Sequence, residues 1–149
     1  MRTLVLGYGN PILTDDSVGI KIATKIKETT PGVELIEASA APMVLIDCVA
    51  GYDKVIIIDS IKTRRGKPGA LYKLQLEHLK PSPDPSSVHG IDIATAFRLG
   101  EGLGYKMPRF VSIYAVEIED NTTFGEQCTG EIDAKIPLMA RQIIQEEKL

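Results

Sequence analysis

Apolar residues recur along this chain in two alternating rhythms. Residues 2–7 (RTLVLG) are a short apolar run ahead of glycines, the pattern of a buried strand. From Ser17 to Thr30, Val18, Ile22 and Ile26 fall four apart with Ala23 on the same side, which predicts a helix. Pro31-Gly32 ends it. Val33 to Ala38 (VELIEA) alternates as a strand does, and Pro42 to Gly51 suits a second short helix. Lys54 to Asp59 (KVIIID) carries consecutive β-branched residues, which predicts a central strand covered on both faces. Ala70 to Leu76 (ALYKLQL) alternates and fits an added edge strand. Pro81, Pro83 and Pro85 mark a loop. Ile93, Ala96, Phe97, Gly100 and Leu103 then outline a third helix. Arg109 to Glu117 (RFVSIYAVE) predicts another strand. Ile132 to Glu147 predicts a closing helix with Pro137 near its first turn.

Strands alternating with helices require crossover connections, and these place helices on both faces of a mainly parallel sheet. The expectation is an α/β fold: a single three-layer α/β/α domain over residues 1–149 with a twisted, mostly parallel five-stranded sheet and KVIIID at its centre. A chain of 149 residues is enough for one such domain. No internal repeat or low-complexity tract divides it.

Charge and composition narrow the function. A formal charge of −3 offers no electrostatic case for nucleic acid. Lys62, Arg64, Arg65 and Lys67 surround Gly66 and Pro68 and read as a solvated loop. Cys48 and Cys128 lack the spacing and the neighbouring histidines of a zinc site and are too few for a disulfide framework. Cys48 reads as a small core residue. No apolar run approaches the length that spans a bilayer, and MRTLVLGYGN passes directly into a strand rather than forming a signal peptide. A cytoplasmic protein with no membrane or nucleic-acid partner is expected. Gly7-Tyr8-Gly9-Asn10-Pro11 follows a strand, but a dinucleotide fingerprint needs a third glycine where Ile12 stands, and Pro11 removes a backbone donor.

In an open α/β sheet, ligands bind beyond the carboxyl ends of the strands. Asp15 and Asp16 lie in the turn after the first strand, Asp59 ends KVIIID, and His89 joins the proline-rich loop to the third helix. Two carboxylates and an imidazole in one crevice suit a borderline divalent ion such as nickel or zinc. Either aspartate fits equally a cap on the first helix, and a lone loop histidine fits a structural role. An acid after four apolar residues is less easily explained, since burying it unpaired is costly. His78 belongs to no constellation.

GNPILTDDSVG, from Gly9 to Gly19, resembles the first signature of the hydrogenase maturation endopeptidases, a G-N-x-x-x-x-D-[DE]-G-x-G pattern after the first strand. VIIIDS with Asp59 is similar to their second signature, His89-Gly90 to their third, and YAVEIEDNTTFGEQCTGEIDAKIP to their closing segment. The resemblance runs in order along nearly the whole chain. It implies an α/β/α fold and an endopeptidase that removes the C-terminal extension from the nickel-loaded large subunit of a nickel–iron hydrogenase. It implies that Asp16, Asp59 and His89 are both the catalytic and the metal-contacting residues. Two mechanisms fit these residues: they hold a metal whose open position activates water, or, as the resemblance favours, they meet nickel supplied by the substrate. No organic cofactor is implied, and the partner is the precursor large subunit. The non-enzyme alternative is a metal-sensing chaperone that binds the immature subunit without cutting it. Ser17 stands where the family has glycine and is a candidate N-cap. Glu37, Ala38 and Ser39 stand where it usually has an aspartate and two glycines, and Cys128-Thr129-Gly130-Glu131 lacks a proline often found there.

Overall fold

The computed structural model describes residues 1–38, 42–76, 88–120 and 122–149; of residues 42 and 88–92 it describes the backbone alone. The strands are β1 (Thr3–Tyr8), β2 (Glu34–Ala38), β3 (Lys54–Ile61), β4 (Leu71–Leu74) and β5 (Phe110–Glu117). The helices are α1 (Val18–Thr29), α2 (Pro42–Val49), α3 (Val88–Gly102) and α4 (Gly130–Glu147), with a 3₁₀ turn over Thr14–Ser17 before α1. They build one five-stranded sheet in the order β2-β1-β3-β5-β4. All neighbours are parallel except β4, which pairs antiparallel with β5. The expected mostly parallel α/β architecture is therefore observed, with β3 central and the Ala70–Leu76 segment supplying the added edge.

Period-two alternation divides the apolar side chains of the inner strands between two cores. Val5, Ile56 and Ile58 pack with Ile22 and Ile26 of α1 and with Ile132, Ile136 and Ile143 of α4. Leu4, Leu6, Val55 and Ile57 face the other way, onto Leu45, Ile46 and Val49 of α2 and Ile93, Ala96 and Phe97 of α3. Each fully buried aliphatic side chain contributes about 2 kcal/mol. Both faces of β3 need such cover, which explains its unbroken β-branched run. Cys48 is half-buried and packs at the margin of the second core.

Two sequence expectations shift. Leu103 lies beyond α3 and is 55% exposed, so it belongs to no core face. Helix α4 begins at Gly130, with Thr129 at its N-cap and Glu131 and Asp133 in its first turn, favourable against the helix dipole. Pro137 consequently sits inside the helix rather than near its start.

The end of α4 is tied to the sheet through Glu147. Its carboxylate accepts hydrogen bonds from Tyr114 Oη (2.6 Å) and Ser112 Oγ (2.8 Å) and pairs with Lys54 (3.0 Å) and Lys73 (3.2 Å). Burial pushes this carboxyl up, but the bonds from Tyr114, Lys54 and Ser112 outweigh it and hold it at about 2, against an ordinary 4.5. A depressed carboxylate pKa contributes stability that is complete above the unfolded value and lost as pH falls through the folded one. The contribution is about 2 kcal/mol after allowance for solvent screening of the paired lysines. Thermal unfolding of Glu147→Gln should therefore show a clear deficit at pH 7 that shrinks between about pH 4.5 and 2. A deficit that stays constant through that window would show that Glu147 acts by packing alone.

Candidate active site

Chain reversal sets the place. From β1 the chain crosses by α1 to β2, on one side; from β2 it crosses by α2 to β3, on the other side of β1. The gap between β1 and β3 is thus the topological switch point, where the loops leaving the two strands diverge. Pairing between them ends at Gly7 with Ile58. Beyond that point β1 stays with β2 as far as Tyr8 and Ala38, and β3 stays with β5 as far as Ile61 and Glu117. The sheet splits, and Asp16 and Asp59 stand at the split.

Two glycines bring α1 close to this place. A Cβ on Gly19 would lie 2.2 Å from the carbonyl oxygen of Ile58, and one on Gly7 would lie 2.6 Å from Cα of Ile20. Gly9 faces the Asp16 carbonyl in the same way, at 2.1 Å from a would-be Cβ. The glycines of the first motif therefore serve close backbone approach rather than a phosphate cradle.

Asp16 is 9% exposed and Asp59 5%. The Asp16 carboxylate accepts hydrogen bonds from Ser60 Oγ at 2.7 Å and from the Asn10 backbone N–H at 3.0 Å. Asp59 Oδ1 accepts the backbone N–H of Ser60 at 2.7 Å. One residue thus touches both acids. A carboxylate has about four acceptor positions, so these bonds leave Asp16 with capacity for a further ligand. Asp59 has the phase of Val55 and Ile57, which face α2 and α3. His89 is the second residue of α3, and its side chain lies outside the described residues. Among the described residues no three His, Cys, Asp or Glu side chains gather to hold a metal.

Neither aspartate caps α1. Ser17 occupies the N-cap position, but its hydroxyl bonds Thr14 O at 2.7 Å instead of a helix N–H. Asp15 is fully buried and turns away from α1 to the segment after β5, accepting bonds from the N–H groups of Glu119, Asp120 and Thr129. Glu37 is exposed at the end of β2, beside a cavity of about 140 Å³ lined by Gly9, Pro11, Ile20, Glu37 and Ala38. Sequence reasoning missed Ser60, Asn10 and the reach of Asp15. Only Ser60 left a signal, a small polar residue directly after the strand-end acid.

Neither cysteine is poised as a nucleophile. Burial pushes both the Cys48 and the Cys128 thiols up, away from the thiolate. Cys128 lies in the first core, with Sγ 3.7 Å from Ser17 Oγ. No described helix is long and apolar enough to cross a membrane.

A doubly wound sheet with two buried acids at its switch point is an enzyme-like arrangement, and sequence comparison gives the family of the chain that builds it. The family model described as hydrogenase maturation protease matches residues 20–146, and the chain belongs to that family. The matched span includes Asp59 and His89 but starts after Asp16, so membership does not rest on the first motif. Hydrogenase 2 maturation protease of Escherichia coli (strain K12) is 34% identical over 82 residues, 53% of this chain and 50% of that relative. That alignment therefore spans half the relative's length. The hydrogenase maturating endopeptidase HybD from E. coli superimposes with a TM-score of 0.81 at 25% identity, covering 99% of this chain and 93% of that one. The nickel–iron hydrogenase maturation protease HybD from Thermococcus kodakarensis has the same fold, with a TM-score of 0.76, 22% identity and 99% of each chain covered.

Proposed function

We propose that this protein is the endopeptidase that removes the C-terminal extension from the nickel-loaded large-subunit precursor of a nickel–iron hydrogenase, in the cytoplasm. Family membership supports cleavage over the non-cleaving chaperone. The observation that carries the reading is the pair of buried carboxylates, Asp16 and Asp59, joined through Ser60 where β1 and β3 part.

Nickel enters as part of the substrate. Asp16 and Asp59, with His89 from α3, contact it and so hold the precursor's C-terminal segment in one orientation. Fixing a peptide bond against catalytic groups supplies much of the rate by proximity. Hydrolysis then requires water to add to the carbonyl carbon, its proton to pass to a base and the amine to leave protonated. Asp16 is the candidate base; the bonds from Ser60 and Asn10 that orient its carboxylate, and its remaining acceptor capacity, support that role. Recognition through the cargo metal makes cutting conditional on loading.

Intact-mass measurement of a nickel-loaded precursor incubated with the purified protein tests this reading. Loss of a single C-terminal peptide is expected. Complex formation without any mass change would instead establish the chaperone.

A further inference from the structure

Two conspicuous motifs have no part in that chemistry: the first acid of the Asp15-Asp16 pair and the closing segment with Cys128-Thr129-Gly130-Glu131. The structure joins them. Asp15 Oδ2 accepts hydrogen bonds from the N–H groups of Glu119 (3.1 Å) and Asp120 (2.8 Å) and from Thr129 Oγ1 (3.2 Å). Oδ1 accepts the Thr129 N–H at 2.7 Å. Further bonds flank this carboxylate. The Asp15 N–H donates to Asp120 O and the Thr14 N–H to Thr123 O. The Thr14 hydroxyl also bonds Thr123 O, and Leu13 forms a β-bridge with Phe124. Within the segment, bonds from Thr123 and Thr122 hold the Asp120 carboxyl at about 2, so Asp120 remains an acceptor that shapes its own turn.

We propose that Asp15 is a positioning residue: by clamping Glu119, Asp120 and Thr129 onto the turn over residues 12–15, it fixes the backbone that aims Asp16 at the split between β1 and β3. Adjacent residues of one short 3₁₀ turn cannot move independently. Asp15 looks toward the β5 side and Asp16 toward Asn10 and Ser60, so the clamp on one acid sets the direction of the other. Carboxylate chemistry is required there. An amide at Asp15 would turn an NH₂ group toward backbone N–H donors, leaving at least one buried donor unpaired. The proposal rests on Asp16 belonging to the processing site.

Backbone amide exchange by NMR on the full chain gives a readout that a plain structural staple would not move. In Asp15→Asn the amides of Glu119, Asp120 and Thr129 should exchange about tenfold faster than in the parent, measured against core amides of β3. The decisive amide is that of Asn10, which bonds Asp16 and not Asp15. It should also lose about tenfold of its protection, and precursor processing should slow by a similar factor. If β3 amides accelerate equally, the whole fold has loosened, and Thr129→Val decides. It removes one donor and should give the same pattern at about threefold, while Thr129→Ser matches the parent. Loosened Glu119, Asp120 and Thr129 with an unchanged Asn10 amide would overturn the proposal, as would no change at any of them. The exchange data need no substrate, so this outcome is independent of whether the precursor is processed.

Discussion

Replacing either buried acid at the split by its amide is expected to nearly abolish precursor processing while leaving the protein folded. For Asp16→Asn, the side-chain oxygen still accepts the Asn10 N–H, and the new NH₂ donates to Ser60 Oγ, whose hydroxyl rotates to accept. Shape and local hydrogen bonding survive, so the midpoint of thermal unfolding should move little. What disappears is the negative charge, and an amide is a far poorer ligand for nickel than a carboxylate. The processing rate should fall on the order of a thousandfold, equivalent to about 4 kcal/mol of transition-state stabilisation. Asp59→Asn should behave alike, since its oxygen still accepts the Ser60 N–H, and His89→Ala is expected to match both. A helix-capping Asp16 would predict near-normal activity for Asn, because both residues cap well. Timed mass spectra of the precursor with each variant separate the two outcomes.

Gly19→Ala is expected to produce a large loss of stability. Its new methyl group would lie 2.2 Å from the Ile58 oxygen and 2.8 Å from the Ile58 carbonyl carbon, with Tyr8 O at 3.0 Å. All three are backbone atoms of central strands, so none can swing aside, and α1 must lift from the sheet. The cost is about 3 kcal/mol, at the upper end for overpacking, and should lower the melting temperature by about 9 °C. Gly32→Ala meets nothing within 4 Å and serves as the control. Calorimetry that finds the two variants equal would show that α1 tolerates displacement at this contact.

The fold was legible because a sheet buried on both faces leaves continuous apolar strands, while the helices between them keep a period near four. β3 shows this most plainly: its β-branched run could satisfy only a strand covered by two cores. Ends were harder. Leu103 continues the helical period of α3 in sequence, yet it follows the helix end at Gly102 and is exposed. Pro137 suggested a helix start, whereas Thr129 and the acids after it set the start earlier. Within the site, strand-end position pointed to Asp59 and to the Asp15-Asp16 pair, because switch-point geometry follows from topology, while the choice of Asp16 within the pair came from the family resemblance. The partners of Asp15 were invisible: they lie 104 to 114 residues away and are mostly backbone N–H groups, which carry no sequence signature. Ser60 left a faint signal as a small polar residue after the strand-end acid, but its contact with two acids follows only from the fold.

Recognition of the cargo metal should make cleavage depend on nickel. The same precursor, prepared with and without nickel, is incubated with the unaltered protein and its mass followed over time. If Asp16, Asp59 and His89 read the cargo metal, the nickel-loaded precursor loses its C-terminal peptide, the nickel-free one stays intact, and zinc does not substitute freely. Equal cleavage of loaded and nickel-free precursor would contradict metal recognition, and no cleavage of either would contradict the peptidase itself.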